Sequence, residues 1–466
     1  MGVVTSGSAR PSAVWDAAWT LVYLLAGAAG GTLLVASCST QIDVAAEVPS
    51  GTSVTTGALC PGGGTTSISG TVVAPTPARF GHADPLFNAM VYVPTAPLEP
   101  FAEGVSCARC VLSGAPRAVA RTGPDGRFRL AGVPPGRNVP LVVQIGHWRR
   151  QVTIPEITAC ADTTLSTELT RLPRNRTEGD IPSIAIATGQ FDPFDCTLRK
   201  IGIDESEFTL PGGPGRVNMW TYRGHHLGPG TPYGDRLLGE VSMLSRYDMV
   251  VLPCDSADTK NTLLQQNLVA YANRGGRIFL TDGSASWLRG AFENTVVWRL
   301  PNQRPWLAVD FVGRVDQMSA TGMSFTQWLN QVGADNAMAG QIPIHDVLPG
   351  GNVVESVVPP TEALIYTDGN AVSAPSVQNF TFDTPVGVPA AQQCGRVVFN
   401  QFHVASDSVD QTVLTDSPAT LSRLSAATFP AECNGGAMTP QEKALEFMLF
   451  DASSCIDAVR REPLIP

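Results

Sequence analysis

Three short stretches of this sequence place reactive side chains directly after apolar runs. YDMVVLP, residues 247–253, is followed by Cys254 and Asp255; RIFLT, residues 277–281, is followed by Asp282-Gly283-Ser284-Ala285-Ser286. GRVVFNQFHV, residues 395–404, carries Gln401 and His403 near its end. A thiol, an imidazole and a carboxylate are the ingredients of a nucleophilic site if the fold brings them together. Asp282 with Ser284 and Ser286 also offers oxygen donors of the kind that hold a hard cation such as Mg²⁺. Which chemistry is available depends on the elements that carry these residues and on their order.

From Ile181 onward the chain alternates strands and helices. IPSIAIATG, RVNMWTY, YDMVVLP, RIFLT and GRVVFNQFHV are apolar strand-like runs. A helical stretch from about Cys196, RLLGEVSMLSRY and TLLQQNLVAYANRGG lie between them. Thr439-Pro440-Gln441-Glu442 opens a last helix, with Thr as N-cap, Pro in the first turn and Glu reaching back. Such alternation implies a parallel sheet covered on both faces. In RIFLT, Ile278 and Leu280 point one way and Phe279 the other, as an interior strand requires. Residues that follow parallel strands gather at the carboxyl edge of the sheet, where ligands bind. Asp255, Asp282, Ser284 and His403 are therefore the expected ligand-binding set, with Cys254, His403 and Asp282 the candidate catalytic residues. Residues 288–390 are too long for one loop and read as an insertion, with a helix at FTQWLNQVG and a hairpin around ALIYTDG and VQNFTF.

The segment of residues 65–172 has a different pattern. SISGTVVAP, FNAMVYVP, GRFRLAGVP and VPLVVQIG are short, rich in β-branched residues and closed by Pro or Gly. Between Thr122 and Phe128, Pro124 presets φ and Asp125-Gly126 supplies the reversal, so Phe128 restarts a strand facing inward, as does Val142 further on. With Ser69-Gly70-Thr71-Val72 and Val133-Pro134-Pro135-Gly136, this segment resembles the carboxypeptidase regulatory-like domain. That resemblance implies an independent, transthyretin-like β-sandwich without peptidase residues. Residues 173–180 form a polar hinge to the second domain, residues 181–460.

The second domain resembles the class I glutamine amidotransferase-like fold, within it the trehalose-utilisation type, on YDMVVLPCD, the helix ending ANRGG, RIFLTDGS and GRVVFNQFH. The resemblance implies a flavodoxin-like, doubly wound parallel sheet. In catalytic members a G-x-C-x-G elbow presents the nucleophile and a later strand ends in Q-F-H-P-E. Gln401-Phe402-His403 matches the start of that later motif, while Val404 and Ala405 replace its Pro and Glu. Asp282 stands where the nucleophilic cysteine would be, and Asp cannot form the thioester, so glutaminase activity is not expected. Asp282-Gly283-Ser284-Ala285-Ser286 also resembles the D-x-S-x-S metal-ion adhesion signature of von Willebrand A domains. There, however, the motif follows the first strand, whereas here three strand-helix units precede it. We expect no metal and no cofactor at this edge. The preferred expectation is that Cys254 is disulfide-bonded and His403 is held by a neighbouring hydroxyl or carboxylate.

Other histidines and cysteines carry weaker signals. His82 and His147 are isolated, adjacent His225-His226 rarely point the same way, and His345-Asp346 is equally weak. Cys107-Ala108-Arg109-Cys110 lacks the second pair that zinc needs, and a loop disulfide is the better reading. Cys394 precedes a strand and lies at the amino edge of the sheet. The last helix runs back to the same edge, so a Cys394–Cys455 disulfide is expected.

The N-terminus bears on location. Residues 17–36 are uncharged and end in Val35-Ala36-Ser37-Cys38, which resembles a bacterial lipobox; the alternative is an uncleaved membrane helix. On the first reading residues 1–37 are a signal peptide, Cys38 is lipidated, and residues 38–64 are a flexible tether. Of ten cysteines, Cys38 leaves nine, which in an oxidising compartment should mostly pair. The chain has 466 residues, 43% of them hydrophobic and 15% charged, enough for several packed domains. A net charge of −10 without any Lys/Arg block excludes a nucleic-acid partner. The expectation is a surface-anchored, non-catalytic binding or scaffold lipoprotein of the envelope, in contact with the membrane through its lipid and with carbohydrate or other envelope components. The alternative is an envelope hydrolase using Cys254 with His403, or a metal held by Asp255, Asp282 and His403.

Overall fold

The computed structural model describes residues 60, 64–107, 112–189, 191–222, 224–254, 261–299, 309–336, 338–347, 353–369, 375–403, 428–431, 433 and 435–456. The leader, the tether, Cys38, Cys110 and Asp255 lie outside the described residues. Among the described residues, no helix is long and apolar enough to cross a membrane.

Residues 65–172 form two small sheets. Their strands are β1 (Ser67–Thr71), β2 (Met90–Pro94), β3 (Pro116–Arg121), β4 (Arg127–Ala131), β5 (Gly136–Ile145), β6 (Trp148–Ile157) and β7 (Asp162–Thr164). One sheet has the order β4-β1-β7 and the other β3-β2-β5-β6. The turn before β4 closes as its residue types require. Gly126 takes φ +68°, and a Cβ there would stand 2.5 Å from the Val72 carbonyl, so only glycine fits. Asp125 accepts the Arg127 N–H at 3.0 Å, an Asx turn that starts the strand. Phe128 is buried and belongs to the same apolar cluster as Leu130, Leu141 and Val143. Val142 is fully buried but on the opposite face, because alternate residues of β5 point opposite ways. β3 and β6 mix arginines with apolar residues on half-exposed faces, which masks their strand character in the sequence.

The remaining strands build one large mixed sheet. They are β8 (Ile184–Thr188), β9 (Phe208–Thr209), β10 (Val217–Thr221), β11 (Met249–Leu252), β12 (Arg277–Thr281), β13 (Val296–Trp298), β14 (Val309–Val315), β15 (Gln341–Val347), β16 (Val354–Val357), β17 (Glu362–Thr367), β18 (Ser376–Thr384) and β19 (Gly395–Asn400). The order is β15-β14-β17-β18-β19-β12-β11-β8-β10-β9. From β9 through β19 every pairing is parallel. Beyond β19 the pairings with β18, β17, β14 and β15 are antiparallel. The sheet is thus mixed, where a doubly wound parallel one was expected from the sequence. The insertion does not stand apart but extends the sheet with antiparallel strands.

Each central strand serves two cores. Ile184, Ile186, Met249, Val251 and Phe279 face one cluster, and Ala185, Ala187, Val250, Leu252, Ile278 and Leu280 face the other. The first cluster also contains Ile68, Leu130 and Leu141 of the small sheets. Trp148 meets Phe450 of the last helix edge-on at 5.7 Å, and Trp328 donates its Nε1–H to the Pro85 carbonyl at 2.6 Å. Apolar packing therefore runs continuously from residues 65–172 into the α/β part, and Thr56–Pro466 forms one compact unit.

The last helix, Pro440–Ser453, carries the full capping box at Thr439 and Glu442. Glu442 also accepts Lys200 Nζ at 2.8 and 2.9 Å, both side chains being almost fully buried. RLLGEVSMLSRY, by contrast, breaks into two short helices, Gly234–Leu238 and Val241–Leu244, at Gly239.

Among the described residues, disulfides join Cys60 to Cys160, Cys107 to Cys394 and Cys196 to Cys433. Cys254 and Cys455 are free thiols. This corrects three expectations: the Cys394–Cys455 bridge, a disulfide at Cys254, and a loop disulfide within Cys107–Cys110, since Cys107 is bonded to Cys394. Arg277 reaches the carbonyls of both Cys394 and Ser454, so the last helix does return to the amino edge. The loop before residue 108 lies over that same edge, with Val105 N–H on the Ser245 carbonyl at 2.8 Å, and delivers Cys107 to Cys394 first.

Candidate functional site at the carboxyl edge

Four parallel strands deliver the site. β8 leads through Gly189 to Asp192, β11 to Cys254, β12 to Asp282 and β19 to Gln401 and His403. A Cβ on Gly189 would sit 2.0 Å from the Cys254 carbonyl, so the absence of a side chain there lets two strand ends approach. After β12 the chain turns through Asp282–Ser284 into the short helix Ala285–Arg289. Asp282 sits at the head of this strand-turn-helix elbow with φ +32°, a left-handed conformation that a non-glycine residue adopts at a cost.

The side chains form one connected group. Cys254 Sγ donates to Asp282 Oδ2 at 3.3 Å and accepts the Gly283 N–H at 3.3 Å. Gln401 Nε2 donates to Asp282 Oδ1 at 3.1 Å. His403 Nδ1 lies 2.9 Å from Asp192 Oδ1, and its Nε2 lies 3.6 Å from Asp282 Oδ2. Thr281 donates its hydroxyl to Asp192 Oδ2 and accepts the Cys254 N–H at 2.9 Å. Asp192, Cys254, Asp282, Gln401 and His403 are all buried.

Burial decides the charge states. It pushes the Cys254 thiol well above its ordinary value, and the carboxylates of Asp282 and Asp192 push in the same direction. Burial also raises Asp282 above the usual carboxylate range, opposed by His403 and aided by Asp192. The thiol is therefore held as S–H against a carboxyl group, the reverse of an activated nucleophile. Its bonded partner is Asp282 rather than His403.

Of the residues expected here, Cys254, Asp282 and His403 meet, and Asp255 lies outside the described residues. Ser284 does not join them, because its hydroxyl donates to the Pro253 carbonyl at 2.7 Å. Ser286 donates to the Gly283 carbonyl at 3.0 Å. Both hydroxyls thus donate to backbone carbonyls, Ser284 across to the end of β11 and Ser286 within the elbow. His403 is held by a carboxylate, but the holder, Asp192, carries no motif in the sequence. Its only signal is its place, in FDPFD just beyond the strand IAIAT.

Three other histidines pair with carboxylates. His147 pairs with Asp248 at 2.8 Å, and His345 with Asp310 at 3.1 Å. His225 pairs with Asp195 at 2.9 Å. Asp195, Cys196 and His225 also cluster, but Cys196 is bonded to Cys433 and supplies no thiolate. At the carboxyl edge, a ring nitrogen of His403, Cys254 Sγ and an Asp192 oxygen all lie within 4.8 Å of one another, a donor set that a transition metal could use.

No protein-family model matches this chain, and no curated protein matches it. Among solved structures, similarity is found to one described as a thua-like protein from Bacteroides uniformis. It has 9% identity, covers 52% of this chain and 88% of that one, and has a TM-score of 0.29. A cytoplasmic protein from Salmonella typhimurium matches at 8% identity over 53% of this chain and 97% of its own, with a TM-score of 0.27. A β-galactosidase from Rahnella sp. R3 matches at 10% identity and a TM-score of 0.25, over 48% of this chain and 29% of the enzyme. ThuA-like proteins are thus among the structures to which part of this chain is similar.

Proposed function

We propose that this chain is a lipoprotein of the cell envelope, tethered through Cys38, whose α/β part binds an envelope component and performs no glutaminase or other thiol-acyl chemistry. The observation that carries the second half is the Cys254–Asp282 contact. A carboxyl group occupies the elbow, and the one thiol beside it is buried and protonated. A thioester needs a thiolate, and this site opposes its formation. The three disulfides favour an oxidising compartment and so support export. The small sheets are read as the carboxypeptidase regulatory-like sandwich, and the parallel strands as the flavodoxin-like core. The trehalose-utilisation resemblance makes glycans the first ligand class to try.

The test uses the full chain, expressed with its leader and isolated from membranes. Cys38→Ala should stop lipidation and release the protein from the membrane fraction. Ammonia release from glutamine should not exceed the protein-free control, and a glycan array should give selective binding. Glutamine hydrolysis that disappears in Cys254→Ala would overturn the non-catalytic assignment. A second reading, a metal-assisted hydrolase, is favoured by one observation, the meeting of Asp192, Cys254 and His403 donor atoms.

A further inference from the structure

The carboxyl-edge group is arranged as more than a set of hydrogen bonds. Around Asp282 Oδ2 stand Cys254 Sγ at 3.3 Å and His403 Nε2 at 3.6 Å. In a tetrahedral zinc site, with Zn–S about 2.3 Å and Zn–N or Zn–O about 2.0–2.1 Å, neighbouring ligand atoms stand about 3.3–3.5 Å apart. Both separations are close to the edges of such a tetrahedron. The third edge closes the triangle, since Cys254 Sγ lies within 4.8 Å of a His403 ring nitrogen.

Each of the three side chains is also oriented from behind. His403 is gripped at Nδ1 by Asp192 at 2.9 Å, which directs Nε2 toward Asp282. Gln401 holds the outer oxygen of Asp282 at 3.1 Å, and the Gly283 N–H is directed at Cys254 Sγ at 3.3 Å. Carboxylate on the far nitrogen of a histidine, and hydrogen bonds on the non-ligating atoms of the other ligands, are how metal sites fix ligand tautomer and direction. Without an ion, the same arrangement buries two aspartates, a thiol and an imidazole together.

We propose that Cys254 Sγ, Asp282 Oδ2 and His403 Nε2 form a three-ligand site for a divalent ion of the zinc class, with Asp192 as the positioning residue of His403. Sulfur and imidazole donors select zinc over Mg²⁺, which prefers oxygen. This is distinct from an adhesion-type site, whose serine hydroxyls are here committed to the backbone. Three protein ligands leave the fourth position for water or a ligand group. Binding releases the Cys254 proton, and any proton held by Asp282, to solvent, and the two resulting anions balance the ion's charge. The proposal rests on the carboxyl-edge site described above but not on the absence of thiol-acyl chemistry.

The experiment measures metal in the full chain, exported and isolated in detergent without chelator. Elemental analysis should find about one zinc per chain. After chelation and reloading with Co²⁺, the protein should show a thiolate-to-cobalt charge-transfer band and the visible bands of a tetrahedral ion. Cys254→Ser should lose the charge-transfer band, and Cys455→Ser should keep it. Asp192→Asn, which leaves all three ligands in place, should weaken Co²⁺ binding by roughly 10–100-fold. That variant and the wild-type spectrum decide the matter even if a ligand variant fails to fold. Protein that carries no zinc and gives no cobalt band overturns the proposal, and so does a cobalt band unchanged in Cys254→Ser. Failure of the metal site leaves the function proposed above intact, since that function is tested by ammonia release and glycan binding.

Discussion

His403 stands between two carboxyl groups, 2.9 Å from Asp192 through Nδ1 and 3.6 Å from Asp282 through Nε2. Asp192 and Asp282 come from the ends of different strands, so His403 joins the carboxyl ends of β8, β12 and β19 in one contact. Its ring orientation is set from the Asp192 side, and what lies on the Asp282 side decides the chemistry. There the partner is a carboxyl group with its own thiol, so the site as built stores protons rather than activating a nucleophile.

The first consequence is a difference in thiol reactivity. In chelator-treated native protein at pH 8, Cys455 should be alkylated by iodoacetamide and Cys254 should react at least about tenfold more slowly, since the thiolate is the reacting species. Both should react once the protein is unfolded. Mass spectrometry of differentially labelled peptides reads the two rates. Equal native rates would show that Cys254 is neither buried nor held protonated.

The buried Lys200–Glu442 pair should be sensitive to removal of one partner. Glu442 supports the last helix through the Thr439 N–H at 2.8 Å as well as accepting Lys200. Lys200→Met leaves that carboxylate buried without its cation and should cost about 3–5 kcal/mol. Urea denaturation followed by tryptophan fluorescence measures the loss. A change below about 1 kcal/mol would mean that the pair is solvated and behaves like a surface ion pair.

Stability should fall with rising pH because of Glu446. It is fully buried, and burial followed by the nearby Asp84 pushes it well above the ordinary carboxylate range, opposed by Lys443. A group whose folded pKa is raised contributes stability below its unfolded value, about 4.3, and loses that contribution as pH rises toward the folded value. Glu446→Gln mimics the protonated form at every pH. Its urea midpoint should therefore fall less than the wild-type midpoint between pH 4 and pH 8, and parallel falls would rule out Glu446 as the cause.

Non-reducing peptide mapping should recover Cys60–Cys160, Cys107–Cys394 and Cys196–Cys433, with Cys455 as a thiol. Replacing Cys196 and Cys433 together by alanine opens a loop closed across 237 residues and should cost about 2–5 kcal/mol. Recovery of Cys394 linked to Cys455 would show that the last helix, and not the loop before residue 108, supplies its partner.

Local information in the chain was enough for the central strands and the helix caps. In RIFLT, the alternation of Ile278, Phe279 and Leu280 already assigns side chains to two faces, and the folded sheet puts them in two cores. Thr439-Pro440-Gln441-Glu442 specifies a helix start within four residues, because every group that satisfies it is in those residues. The elbow position of Asp282 came from the family resemblance, and the short helix after it was not anticipated. Only the tertiary structure decided what surrounds that elbow. Asp192 reaches His403 across a separation of 211 residues, and no local pattern records such a contact. Ser284 and Ser286 turn away to backbone carbonyls because of the direction in which the turn closes. The insertion strands extend the sheet antiparallel beyond β19, a placement that no local pattern in them records. Cys394 pairs with Cys107 because a loop from the other end of the chain crosses the amino edge of the sheet. Periodicity and caps are written in neighbouring residues, whereas site partners and disulfide partners are selected by which strand ends the folded sheet brings side by side.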